Sequence, residues 1–448
     1  MTISFADLGV PKQIVEALSR QGIKEPFAIQ EATIPDGLAG RDLCGKAPTG
    51  SGKTLAFGIV GVARLSEGSS RPKRPRMLIL TPTRELCAQI AKELQPIATA
   101  RKLRVDTFYG GVGYGNQLNA LRQRCDIAVA CPGRLGDLIE RGDMRLDEVE
   151  VVVVDEADRM ADMGFLPEVK RLLDQVPDDR QTLLFSATLD GEIGVLVKRY
   201  QKDPARHELE GEGNAMQNAT HYFWKVPSTE RSEITAEIAM HCGSTIVFCR
   251  TKHGADRLAR QLTTRGIGAV AIHGDRSQAQ RERALRSFTR GEVGVMAATD
   301  VAARGIHVDN VAVVLHFDPP ADDKDYIHRS GRTARAGAGG SVISFVTPEK
   351  AKAVKSLQRS LGVDINSTEP RVLDLPKGEP APKPRAERPD PRPAGRRSSG
   401  ERSHGPAGHR GGNRRRGPGQ GGPASSEGGS SRSDSRPSSG PPSSSRPG

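Results

Sequence analysis

Short apolar runs rich in β-branched residues recur along the first half of the chain: Met77 to Thr81, Asp126 to Cys131, Val149 to Asp155 and Gln181 to Ser186. Each ends in turn residues and hands over to a stretch with helical spacing of apolar positions. Runs that are apolar on both faces fit strands buried in a parallel sheet, and the stretches between them fit crossover helices. The pattern predicts a doubly wound α/β lobe. After a polar, glycine-containing stretch near Glu210 to Asn218 the rhythm restarts, with strands expected at Thr245 to Cys249, Ala269 to His273, Gly294 to Ala298, Ala312 to His316 and Ser341 to Val346. The expected fold is therefore α/β, with two tandem parallel-sheet domains over 1–209 and 219–370 and a tail over 371–448. Phe223 and Trp224 fall in the first strand of the second lobe, where packing is their expected role.

A chain of 448 residues exceeds one comfortable core, which agrees with two lobes and an extension. From Arg371 onward 14 Arg and 2 Lys stand against 4 Glu and 3 Asp, a net +9 of the whole-chain +12. The last aromatic residue is Phe345, so this Arg/Gly/Ser/Pro-rich tail has little apolar surface to offset ordering entropy and is expected to be disordered. A flexible cationic arm attracts polyanions without sequence preference; a spacer is the alternative role. The six cysteines form no C-x-x-C pair and read as free thiols of a reducing compartment. No apolar run is long enough to span a bilayer and no signal peptide is recognisable, so a soluble cytoplasmic protein is expected.

The chemistry is carried by Ala47-Pro48-Thr49-Gly50-Ser51-Gly52-Lys53-Thr54, which follows a strand end at Asp42-Leu43-Cys44 and opens the apolar helical stretch Leu55 to Leu65. Backbone N–H groups of such a loop curl around phosphate oxygens, Lys53 adds a point charge, and Thr54 offers a hydroxyl to Mg²⁺. Asp155 closes the run Val151-Val152-Val153-Val154, so its carboxylate emerges at the carboxyl edge of the sheet, where it can hold the Mg²⁺ shared with Thr54. Glu156 beside it can polarise a water. In the second lobe His328, Arg332 and Arg335 stand at i, i+4 and i+7 and share one face if the segment is helical. From there they could reach a γ-phosphate across a cleft, arginines from a second body being a means of stabilising transition-state charge.

Together these segments resemble the DEAD-box ATP-dependent RNA helicases, the bacterial RhlE-type subgroup most of all. The resemblance covers roughly Ile3 to Pro348 and keeps the family's order: Phe5 and Gln30, the phosphate loop, Pro82-Thr83-Arg84-Glu85-Leu86, Gly110-Gly111, Pro132-Gly133-Arg134, Asp155-Glu156-Ala157-Asp158, Ser186-Ala187-Thr188, Val247-Phe248-Cys249-Arg250, His273-Gly274-Asp275 with Gln278 and Arg281, Thr299-Asp300 through Arg304-Gly305, and His328 to Arg335. It implies two RecA-like domains and an RNA-dependent ATPase that unwinds or remodels short RNA duplexes and ribonucleoprotein.

The resemblance further implies that Gln30 reads the adenine edge with Phe5 packed over it, that Asp158 and Gly305 belong to the nucleotide site, and that Arg332 and Arg335 are arginine fingers. Ser186, Thr188, Asp300 and Arg304 would couple the lobes. RNA contacts implied in the same way are Thr83, Arg84, Gly111, Gly133 and Arg134 in the first lobe and Arg250, Gly274 and Thr299 in the second, gripping backbone rather than bases. The implied partners are ATP, Mg²⁺ and RNA, with ribosomal precursors or decay machinery as possible settings. Two other readings share these residues: an ATP-gated RNA clamp with little strand separation, and a DNA helicase. The chain departs from the family pattern at Phe27-Ala28, where Thr-Pro is usual, at Cys131, at Ser330, and at His307, where an Asp expected at the ribose is typical.

Overall fold

The computed structural model describes residues 3–47, 50–65, 70–209, 218–303, 308, 311–320, 322–334, 339–364 and 366–383. In the first lobe seven strands form one parallel sheet: β1 (Leu43–Lys46), β2 (Met77–Leu80), β3 (Val105–Phe108), β4 (Ile127–Ala130), β5 (Val151–Asp155), β6 (Gln181–Ser186) and β7 (Ala205–Glu208). Their order is β3-β4-β2-β5-β6-β1-β7. The central strands are buried on both faces, which is why they read as unbroken apolar runs. One core cluster around Phe57, Ile79, Ile90 and Val153 fills one side, and another around Leu80, Leu135, Val152 and Leu172 fills the other.

The second lobe repeats the plan with β8 (Ala219–Lys225), β9 (Thr245–Phe248), β10 (Ala269–Ile272), β11 (Val295–Ala298), β12 (Val313–His316) and β13 (Gly340–Val346), ordered β10-β11-β9-β12-β13-β8 and again parallel. Trp224 is 1% exposed and packs in its core, as expected. Two strands escaped the sequence pattern. β3 and β7 lie at the edges of the first sheet and include partly or fully exposed polar positions, so neither forms an apolar run.

Register explains why the motifs meet. β6 lies between β5 and β1, with Lys46 opposite Ser186 and Asp155 opposite Phe185. The phosphate loop after β1 and the acidic turn after β5 therefore flank one strand at the carboxyl edge, where parallel sheets bind ligands.

The tail does not begin at Arg371. Thr368 adds to the β8 edge, accepting from Lys225 N at 2.8 Å and donating to Phe223 O at 2.9 Å. The chain then crosses the lobe: Leu375 and Ala381 are buried, Gly378 N donates to His241 O at 3.0 Å, and Gly268 N donates to Pro382 O at 2.7 Å. Residues up to Lys383 thus form a strap of the second lobe. Pro/Gly-rich composition hid it, because a few apolar side chains and extended backbone suffice to dock. Deleting residues after Arg371 is expected to destabilise the lobe by about 3 kcal/mol, from the loss of Leu375 and Ala381 burial. Deletion after Lys383 should leave the melting temperature unchanged, and equal melting of both truncations would contradict the strap. The rest of the expected disordered tail lies outside the described residues, as does most of the stretch Glu210 to Asn218.

Candidate active site

The phosphate loop leaves β1 with Ala47 N bonded to Ser186 O at 3.3 Å. Pro48 and Thr49 lie outside the described residues. Gly50 and Gly52 take left-handed φ values of 88° and 89°, and Gly52 caps the helix Lys53–Arg64. A Cβ on Gly52 would come within 2.5 Å of Gln30 Nε2 and 2.6 Å of Phe27 Cδ2, so glycine is needed for conformation and for space. Ser51 is partly buried beside it. Lys53 is buried and its Nζ donates to Ala47 O at 2.8 Å, which folds the ammonium into the loop that phosphates would fill.

Asp155 and Glu156 are buried at the end of β5, with Glu156 N donating to Asp155 Oδ1 at 3.0 Å. Burial pushes the Asp155 carboxyl up to about 7, Lys53 opposes the shift, and Glu156 adds to it. A desolvated carboxyl of this kind favours its charged form when a cation arrives. Behind Thr54, Glu93 of the helix Arg84–Ala100 is raised by burial to about 7, partly offset by its hydrogen bond with Thr54. Among the described residues no three His, Cys, Asp or Glu side chains converge as a dedicated metal cage. One hydroxyl and one carboxylate beside a phosphate cradle are the donor set that suits Mg²⁺, which takes its remaining ligands from phosphate and water.

Gln30 is 1% exposed, its Oε1 accepts from Phe27 N at 2.9 Å and its Nε2 donates to Gly52 O at 2.9 Å. Phe5 is 2% exposed and lies inside the core of the first lobe. The exposed ring is Phe27, at 62%, packed against Gly52 and Gln30. Its substitution for the family's Thr removes a side-chain cap from the helix Ala28–Leu38 and sets an aromatic surface there instead.

Ser186 Oγ accepts from Asp158 N at 3.3 Å and from Thr188 N at 3.4 Å, tying the acidic turn to the end of β6. In the second lobe the helix Asp323–Ser330 stops at Gly331, so helical spacing carries no further than His328 and Arg332 follows in a turn. Even so, His328, Arg329, Arg332, Asp300, Ala303 and Phe248 line one small cleft. Arg329, which the sequence reading passed over, grips Asp300 through two bonds of 2.6 and 2.8 Å. His328 is shifted down by burial first and then by Arg159 of the first lobe, with Asp158 opposing. Arg304, Gly305, His307 and Arg335 lie outside the described residues.

The expected RNA contacts lie along the carboxyl edges of both sheets. Thr83 is buried and caps the helix Arg84–Ala100, accepting from Leu86 N at 3.3 Å. Arg84 lies against Gly111, and Arg134 stacks on Tyr114 at 4.2 Å while donating to Val112 O at 3.2 Å. Among the described residues no heavy atom lies within 4 Å of a Cβ built on Gly133 or Gly274, and both glycines are exposed. Arg250 is exposed, with its N donating to Asp318 Oδ2 at 2.9 Å, and Thr299 is partly buried at the end of β11. Sequence reasoning missed the bridge between the lobes: Glu85 meets Arg281 at 3.0 Å and Gln278 at 3.3 Å, with the ion-paired side chains 6% and 10% exposed. Burial lowers the Arg281 guanidinium, and Glu85 opposes the shift.

A DEAD/DEAH box helicase profile matches residues 27–194 and a helicase conserved C-terminal domain profile matches residues 230–337. The DEAD-box ATP-dependent RNA helicase CshA of Geobacillus kaustophilus is 38% identical over 373 residues, covering 83% of this chain and 79% of that one. The chloroplastic DEAD-box ATP-dependent RNA helicase 3A of Zea mays is 41% identical over 382 residues, and the chain spans 51% of that relative's length. Among solved structures, S. cerevisiae Dbp5 bound to RNA and ADP BeF3 aligns with a TM-score of 0.71 at 29% identity, covering 83% of this chain and 96% of that one. No helix among the described residues is long and apolar enough to cross a membrane. Fold, motif order and relatives agree: the chain belongs to the DEAD-box family of ATP-dependent RNA helicases.

Proposed function

We propose that the protein is an RNA-dependent ATPase that uses closure of its two lobes to unwind or remodel short RNA duplexes. The observation that carries this reading is the buried ion pair between Glu85 of the first lobe and Arg281 of the second, 3.0 Å apart. Chemistry at the first lobe is thereby linked to the position of the second. Lys53 and the loop bind the phosphates. Thr54 and Asp155 would hold Mg²⁺, which neutralises charge on the phosphate oxygens. Glu156 orients a water and takes its proton as the oxygen attacks the γ-phosphorus, the bond to the β-γ bridging oxygen breaks, and the electron pair leaves with ADP. Arg332, with Arg335, stabilises the charge on the transferring group.

Base choice rests on Gln30, whose amide matches the adenine edge once it turns from Phe27 N, and on Phe27, whose free ring offers a stacking face. RNA lies along backbone-reading groups of both lobes and bends as they close. The cytoplasm is the proposed location.

The test is ATP hydrolysis measured with single-stranded RNA, single-stranded DNA or no polymer, alongside displacement of a short RNA duplex. Stimulation by RNA only, with displacement at saturating ATP, is expected because contacts to the 2′-OH distinguish the polymers. Equal stimulation by DNA would overturn the RNA reading, and RNA retention without displacement would leave a clamp. Preference for ATP over GTP should weaken in Gln30→Ala, and an unchanged ratio would remove Gln30 from the base site.

A further inference from the structure

We propose that Arg159 is the positioning residue of Glu156, holding one carboxylate oxygen so that the other faces the attacking water. The inference rests on the reading of Glu156 as general base. Arg159 Nη1 donates to Glu156 Oε2 at 2.9 Å, and both side chains are only 6% exposed. Among the described residues Glu156 Oε1 takes no hydrogen bond, which leaves it available to a water.

Two observations set this pair apart from ordinary helix support. Glu156 has φ 53°, left-handed for a residue with a side chain, and it precedes a helix of only 6 residues, Ala157–Asp162. Such a backbone persists only where surroundings fix it, and it sets the direction in which the carboxylate leaves the strand. Second, an i,i+3 pair supports a helix in water, whereas desolvating both charges costs more than that support returns. A buried pair at the mouth of a phosphate site is better explained by fixed geometry than by stability.

Burial first, and then Arg159, depresses the proton affinity of His328 in the second lobe, whose Nδ1 has no hydrogen-bond partner among the described residues. When the lobes come together the carboxylate cannot swing toward the incoming positive charge, because Arg159 already holds it.

The experiment compares Arg159→Ala, Arg159→Lys, Glu156→Gln and the Glu156→Gln/Arg159→Ala double variant in the full chain. RNA-stimulated kcat, KM for ATP, the Kd of a fluorescent ADP and the melting temperature are read for each. Arg159→Ala should lower kcat by about tenfold to hundredfold, the range expected when a reacting group loses its support. KM and the ADP Kd should stay near wild type. Arg159→Lys, which keeps a cation within reach, should recover part of kcat, and the double variant should be no slower than Glu156→Gln alone. Wild-type kcat in Arg159→Ala beside an inactive Glu156→Gln would overturn the inference while sparing the general base. Loss of kcat that tracks a lowered melting temperature, without rescue by Lys, would reduce Arg159 to a structural role. If Arg159→Ala does not fold, Arg159→Gln carries the same comparison. Turnover in Glu156→Gln at the wild-type rate would remove the base, and the inference with it.

Discussion

Glu156→Gln is expected to abolish steady-state turnover while ATP and RNA still bind. The amide is isosteric, and its oxygen can still accept from Arg159, so the turn after β5 should keep its shape. What the amide cannot do is take a proton from water. Loss of a positioned base costs about 10²- to 10⁴-fold, or roughly 3–5 kcal/mol of barrier. Single-turnover hydrolysis with RNA present measures the drop, and fluorescence titration with an ADP analogue checks that binding survives. A rate within a few-fold of wild type would mean that water is activated elsewhere, with the desolvated Asp155 carboxyl the nearest alternative.

Arg281→Met should uncouple hydrolysis from RNA. Glu85 and Arg281 are buried against each other between the lobes, and removing the guanidinium leaves a carboxylate whose remaining side-chain partner among the described residues is Gln278. An uncompensated buried charge costs about 3–5 kcal/mol. The penalty falls on the joined state alone, since Glu85 is hydrated when the lobes part. Closure should therefore become at least about a hundredfold less favourable. RNA-stimulated ATPase would fall accordingly, whereas ADP affinity, set in the first lobe, would hold. Fluorescence energy transfer between labels on the two lobes reads closure directly. A Glu85→Gln/Arg281→Met double variant should recover part of the loss, because it removes the stranded charge. Unchanged closure in Arg281→Met would show the bridge to be incidental.

Much of the fold was legible because buried parallel strands announce themselves as unbroken apolar runs. Val151 to Asp155 and Gln181 to Ser186 could be read in this way, whereas the edge strands β3 and β7 could not, since their outward positions carry polar side chains. The phosphate loop and acidic turn were legible for a different reason: their chemistry demands particular residues at fixed spacing. Charged residues whose role depends on a partner elsewhere left no such trace. Arg159, Arg329, and Glu85 with Arg281 carry no individual role along the chain, and the fold places an opposite charge beside each. Burial of aromatic residues was not legible either. Phe5 and Phe27 look equivalent along the chain, yet one fills the core and the other stands free beside Gln30. The strap from Thr368 to Lys383 was hidden because docking an extended segment needs backbone partners more than hydrophobic content.

In the proposed mechanism one terminal phosphoryl group receives carboxylates from the first lobe and guanidinium groups from the second. A crystal structure of the full chain with ADP, beryllium fluoride, Mg²⁺ and single-stranded RNA tests this most directly. The prediction is a fluoride within hydrogen-bond distance of Arg332, a water between the beryllium and Glu156 Oε1, and metal on Thr54 and Asp155. Arg332 turned to solvent with the lobes closed over RNA would contradict it.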